Sequence, residues 1–123
     1  MYWIVIVISL ACSSNEDLFH SEKQALVLYK QGMDASKSKN HQIAEKFFHE
    51  ALQKDPNSKS IRFHLIHSRF SQGNYQDLQW LLQYNQENPS ELDALKLLHK
   101  YHCVQKNEEC LKLEQIILLR EQR

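Results

Sequence analysis

Glycine and proline are scarce in this 123-residue sequence, with two of each. A many-stranded β protein needs more turn residues than that. Nor can the glycine-rich loops that cradle phosphates and dinucleotides be assembled from Gly32 and Gly73. Net charge is missing too, with 15 Lys+Arg against 15 Asp+Glu, so the broad positive field used by nucleic-acid binders is not expected. There is no Gly-x-Ser-x-Gly elbow, no Walker loop and no His-Glu-x-x-His. The paired acids Glu108 and Glu109 fall at a predicted helix start, where the helix dipole accounts for them. No enzyme is expected. What is present is 42% apolar residues, enough for a core, in a length that suits one domain.

Tyr2 to Ala11 is an apolar stretch that ends at Cys12, with the polar run Ser13-Ser14-Asn15-Glu16-Asp17 behind it. Ten helical residues span about 15 Å, half of the hydrocarbon core, which excludes a transmembrane anchor. The stretch suits the apolar region of a secretory signal peptide. Its ending, Ser9-Leu10-Ala11-Cys12, resembles a bacterial lipobox, although leucine stands one position late and no Lys or Arg precedes Lys23. The resemblance implies cleavage after residue 11, palmitate-type acylation of the Cys12 thiol and a lipid anchor in the cell envelope, at the outer membrane. Residues 12–20 would form a polar tether.

From Ser21 onward the apolar residues recur at helical spacing. Ser21 with Gln24 and Ser90 with Asp93 read as capping boxes, and Asn40, Asn74 and Asn107 as N-caps. Asp55-Pro56-Asn57 and Asn88-Pro89-Ser90 stop helices, because proline disfavours helix in the residue before it. Six helices are predicted, over 21–37, 41–54, 59–72, 75–86, 91–104 and 108–121.

These helices contain a repeat. Leu28, Gln31 and Gly32, followed by Ala44, Phe48, Ala51 and Pro56, stand at offsets that resemble the 34-residue tetratricopeptide repeat (TPR). Small residues at Gly32 and Ala44 would let two antiparallel helices approach, with Phe48 filling the gap. A second copy keeps Leu65, Gly73-Asn74-Tyr75, Leu78 and Leu82. A third keeps Leu95, Leu98, Asn107, Leu111 and Leu118. The expected fold is therefore all-α: a TPR-like α-solenoid of about three helix-turn-helix repeats (25–58, 59–91 and 92–123) within a domain at 21–123.

The resemblance implies a non-enzymatic scaffold that binds a peptide or helical segment of a protein partner in a concave groove. The groove offsets fall on Leu26, Tyr29, Met33 and Ser36 in the first repeat. In the second they fall on Phe63, His64, His67 and Phe70, and in the third on Asp93, Lys96, Lys100 and Cys103. Aromatic and methionine anchors suit an apolar stripe, and Lys96 and Lys100 an acidic neighbour. The Lys and Asn of carboxylate-clamp TPR domains are absent, since Tyr29, Met33 and His64 stand at those positions. Leu113, Ile116 and Ile117 lie partly off the face that Leu111 and Leu118 are expected to turn toward the preceding helix. They offer an alternative role, pairing of the last helix with a second copy as a homodimer of a structural envelope protein.

Two further clusters remain. Cys103 and Cys110 flank a predicted turn near Lys106-Asn107, where either a disulfide or two buried thiols is sterically reasonable. His99 and Cys103 share a helical face and could take two positions on a metal, with Cys110 as a third. No carboxylate or Cys-x-x-Cys completes a tetrahedral set, so neither metal nor cofactor is expected.

Overall fold

The computed structural model describes the backbone of residues 2–122 and the side chains of residues 18–122. Cys12 and the apolar stretch before it therefore lie outside the residues with described side chains. The chain is all-α, with α1 (Tyr2–Lys37), α2 (His41–Lys54), α3 (Lys59–Ser71), α4 (Leu78–Glu87), α5 (Leu92–Val104) and α6 (Glu109–Glu121). It divides into two compact units, Met1–Ser68 and Arg69–Arg123. Among the described residues there is no strand, and no helix is long and apolar enough to cross a membrane.

Helix ends depart from expectation where a side chain has a stronger partner than the backbone. Ser21 caps nothing, because α1 runs through it. Its hydroxyl instead donates to the carbonyl of Lys54 at 2.5 Å, one of the acceptors that the end of α2 leaves open. Gln24 contacts the His20 ring at 2.9 Å, so the capping box does not form. Asn40 does cap α2, accepting from the Ile43 N–H at 3.4 Å. Asn74 closes a tight turn onto the Gln76 N–H at 3.2 Å, and α4 begins only at Leu78.

Asp77 stands at the N-cap of α4 without capping it, because its carboxylate is held by Arg69 at 2.8 Å. With the guanidinium both partners of the bond are ionised, whereas in the cap bond only the carboxylate would be. The N-cap of α5 is Glu91, so the Ser90–Asp93 box is not formed either. Tyr84 donates to Glu91 at 2.5 Å. That bond, with burial and the nearby carboxylates of Glu91 and Asp93, pushes the phenol up to about 12. Asn107 likewise leaves α6 uncapped by its side chain and turns back to the His102 ring at 2.9 Å.

In the first unit α1 packs along α2. Ala44, Phe48 and Leu65 form one buried cluster flanked by Tyr29, Met33, Ala35 and Leu52. Ala25, Ala51 and Ile61 form another, flanked by Leu28, Tyr29 and Leu52. The alanines are fully covered because the helices come close, and Gly32 sets the closest approach. A Cβ placed there would lie 2.6 Å from Phe48 Cε1 and 2.7 Å from Cδ1. The Phe48 ring is only 1% exposed, so it has no free space to retreat into.

The second unit is built on Leu81, Ala94, Leu95, Leu97 and Leu98, with Ile117 added from α6. Here α5 packs against both α4 and α6. Phe70, Tyr75 and Tyr101 form an aromatic trio with centroid separations of 5.1, 6.0 and 4.9 Å. Two polar contacts tie the end of α6 back: Arg120 donates to the Pro89 carbonyl, and Lys96 pairs with Glu121 at 2.7 Å.

Alanine is favoured over glycine inside a helix by about 1 kcal/mol, whereas overpacking a tight core costs about 1–3 kcal/mol. The contact with Phe48 therefore decides the sign at Gly32, and Gly32→Ala is expected to lower the urea midpoint. A raised midpoint would show that α1 and α2 can separate freely.

Candidate functional site

Side chains capable of binding gather in a cleft of the first unit, and in the second unit in a smaller cavity and at the α5–α6 turn. In the first unit a cleft of ≈ 250 Å³ is lined by Glu22, Ala25, Leu26 and Tyr29 of α1 and by Asp55, Ser58, Ser60 and Ile61. Ala25 and Ile61 are buried and form an apolar floor, while Leu26 keeps 52% of its surface exposed at the edge. Glu22 and Asp55 make the rim acidic. The Ser58 hydroxyl is already engaged, accepting from the Ile61 N–H at 3.2 Å and capping α3. Asp55 and Ser58 reach the cleft because the chain turns between them at Pro56, after the end of α2.

The sequence-derived groove residues divide between surface and interior. Leu26 and Tyr29 line the cleft. Tyr29 also packs on Phe48 and His64, with centroids 5.9 and 5.4 Å apart. Met33 is half-buried beside the Phe48 cluster. Phe63 and Phe70 are 6% and 5% exposed, so both rings belong to the interior, where Phe70 also borders a small cavity. Phe63 rests against the edge of His64 at 5.6 Å. His67 is half-buried.

In the second unit Lys96 is occupied by Glu121, whose hydrogen bond and charge hold the ammonium above its ordinary value. Lys100 lines a smaller cavity of ≈ 150 Å³ with Phe70, Tyr75, Leu97, Tyr101 and Val104 among its walls.

On α6 the exposed and buried residues depart from expectation at Ile117, Leu111 and Leu118, while Ile116 is exposed as expected. Ile117 points inward at 8% exposure, whereas Leu111 and Leu118 are 67% and 51% exposed. Leu113 is half-buried, and Ile116 and Leu119 face outward. The apolar residues of this helix occur on most of its circumference, so periodicity alone leaves its phase ambiguous.

The remaining gathering is at the α5–α6 turn. Lys106 adopts a left-handed conformation, φ 55, which reverses the chain within a few residues. Cys103 and Cys110 are thereby brought to a Cα separation of 4.8 Å and are joined by a disulfide. His99, one turn before Cys103, brings Nε2 to 4.0 Å from Cys110 Sγ. The three donor atoms all lie within 4.8 Å of one another, and all three residues are half-buried.

The acidic cleft rim was not anticipated. In the sequence Asp55 reads only as part of a helix stop, and nothing local marks it or Ser58 as lining a cleft with Glu22. No protein-family model, no curated protein and no solved structure matches the chain.

Closing a loop as short as that between Cys103 and Cys110 removes about 2.5 kcal/mol of unfolded-chain entropy. Reduction is therefore expected to speed amide hydrogen exchange in α5 and α6 while leaving α1 and α2 unchanged. Equal acceleration in both units would contradict a local role for the bond.

Proposed function

We propose that the protein is a non-enzymatic, lipid-anchored adaptor of the bacterial cell envelope, at the outer membrane. In this reading TPR-like helical hairpins hold a peptide or helical segment of a partner protein. The observation that carries it is the first-unit cleft. It has an apolar floor, an exposed leucine at its edge and two carboxylates among its lining residues, and its floor residues Ala25 and Ile61 are packed from behind by Ala51 of α2. A volume of ≈ 250 Å³ suits one large apolar side chain. The rim favours a partner whose apolar residue is followed by a basic one, which moves the expected charge preference away from that assigned to Lys96 and Lys100. The offsets of Gly32, Ala44, Phe48 and Ala51 support the repeat reading.

The lipid anchor rests on Ser9-Leu10-Ala11-Cys12 and on the apolar residues before them. Two or three acyl chains would hold the protein stably, where a single chain would not. A second reading, self-association as a structural envelope component, is favoured by Leu111, Leu118 and Leu119, which are 67%, 51% and 64% exposed. In that version the pairing face is formed by these residues and Ile116, with Ile117 inside.

The test is co-purification from detergent-solubilised membranes of the native host, with intact mass recorded on the same sample. The expected mass lacks the first eleven residues and carries acyl chains on Cys12. Leu26→Glu should reduce the amount of partner recovered about tenfold, equivalent to about 1.4 kcal/mol, without changing helicity. Full partner recovery with Leu26→Glu would overturn the cleft reading, and an unmodified full-length mass would overturn the anchor.

A further inference from the structure

The Cys103–Cys110 bond closes an exposed turn, and on its own it would be a staple. The presence of His99 makes it something else. A structural disulfide needs no imidazole beside it, yet His99 Nε2 lies 4.0 Å from Cys110 Sγ. All three donors lie within 4.8 Å of one another.

Those separations are close to what a metal would require. With metal–sulfur bonds near 2.3 Å and metal–nitrogen bonds near 2.0 Å, tetrahedral or trigonal geometry sets donor-to-donor distances at about 3.5–4 Å. Once the sulfur–sulfur bond is broken, the two Sγ atoms have only to relax apart to reach that spacing. The Cα separation of 4.8 Å permits this through side-chain rotation. The imidazole is already near its place.

We propose that, on reduction, His99 Nε2, Cys103 Sγ and Cys110 Sγ form a binding site for a soft closed-shell cation, Zn²⁺ or Cu⁺. The chemistry balances in two steps. A dithiol reductant gives two electrons and two protons to the disulfide, becoming a disulfide itself and leaving Cys103 and Cys110 as thiols. The cation then displaces both thiol protons and takes two thiolates and the neutral imidazole. Thiolate donors select Cu⁺ and Zn²⁺ over hard cations. Three protein ligands complete a trigonal Cu⁺ site, whereas on Zn²⁺ they leave a fourth position for water or an outside ligand. Among the described residues no fourth His, Cys, Asp or Glu joins the group.

The consequence is a turn with two exclusive closed states. Oxidised, it is held by a covalent bond and cannot ligate, because disulfide sulfurs carry no thiolate charge. Reduced, it is held by the cation instead. Cation occupancy would thus report the thiol–disulfide balance around the protein, independently of whether the first-unit cleft binds a partner.

The test uses the purified full chain, reduced with a phosphine under anaerobic conditions and titrated with Co²⁺ as a spectroscopic probe. A near-ultraviolet thiolate-to-cobalt band saturating at one cation per chain is expected, absent from the oxidised protein and from the Cys103→Ser/Cys110→Ser variant. His99→Ala leaves both thiols in place and should weaken Co²⁺ binding by at least the tenfold that losing an outer-shell partner costs. Displacement of Co²⁺ by equimolar Zn²⁺ assigns zinc, and displacement by Cu⁺ alone assigns copper. The proposal is overturned if the reduced chain gives no such band, if the oxidised chain binds equally well, if neither cation displaces Co²⁺, or if His99→Ala binds like the parent. Because His99→Ala keeps the cysteine pair, it decides the matter even where the double serine variant fails to fold.

Discussion

The ring of Phe48 against the bare Cα of Gly32 is the contact on which the first unit depends. It fixes how closely α1 and α2 lie, and that spacing in turn covers Ala44 and Ala51, each 0% exposed. Alanines gain little from burial individually. Their value is that they permit backbone approach, so larger neighbours such as Leu65 and Ile61 meet a continuous wall. The cleft beside Leu26 inherits its shape from the same arrangement, since Ala25 and Ile61 belong at once to its floor and to the core. A cleft already formed in the free chain loses less entropy on binding than one that must order itself first.

Much of this was legible in the residues. The six helices follow from helical periodicity and from the breaks at Pro56 and Pro89, and the Gly32–Phe48 packing from a small residue and an aromatic at matching positions. The ends were less legible. Ser21, Asn74, Asp77 and Asn107 all carry cap-forming side chains, but three of them found partners elsewhere: the Lys54 carbonyl, Arg69 and His102. Capping signals describe only local competition, and a tertiary partner that is charged or otherwise unsatisfied wins it. α6 was misphased for a different reason. Its leucines and isoleucines occur all round the helix, so no single stripe identifies the inward side.

The candidate site was legible only in part. Leu26 and Tyr29 follow from repeat offsets, and both line the cleft. Phe63 and Phe70 follow from the same offsets but are buried, because their rings pack within their own units against His64 and against Tyr75 and Tyr101. Offsets describe which way a backbone position faces, and a large ring at such a position can still fold down onto its neighbours. The acidic lining depends on Asp55 and Glu22, 33 residues apart in the chain, sharing one cleft, and neither residue carries a local mark of that role. At the α5–α6 turn the cysteine spacing was informative, whereas the approach of His99 needed the left-handed Lys106 that brings α6 back beside α5.

The central claim, that the first-unit cleft holds a segment of another protein, is tested most directly by photo-crosslinking in living cells. A photoreactive residue at Leu26 is compared with the same residue at Leu118. The account predicts that position 26 crosslinks to one foreign polypeptide, through a peptide that places a basic residue beside the crosslinked one. Crosslinking at position 26 to a second copy of this chain, or to nothing while position 118 captures one, would contradict it.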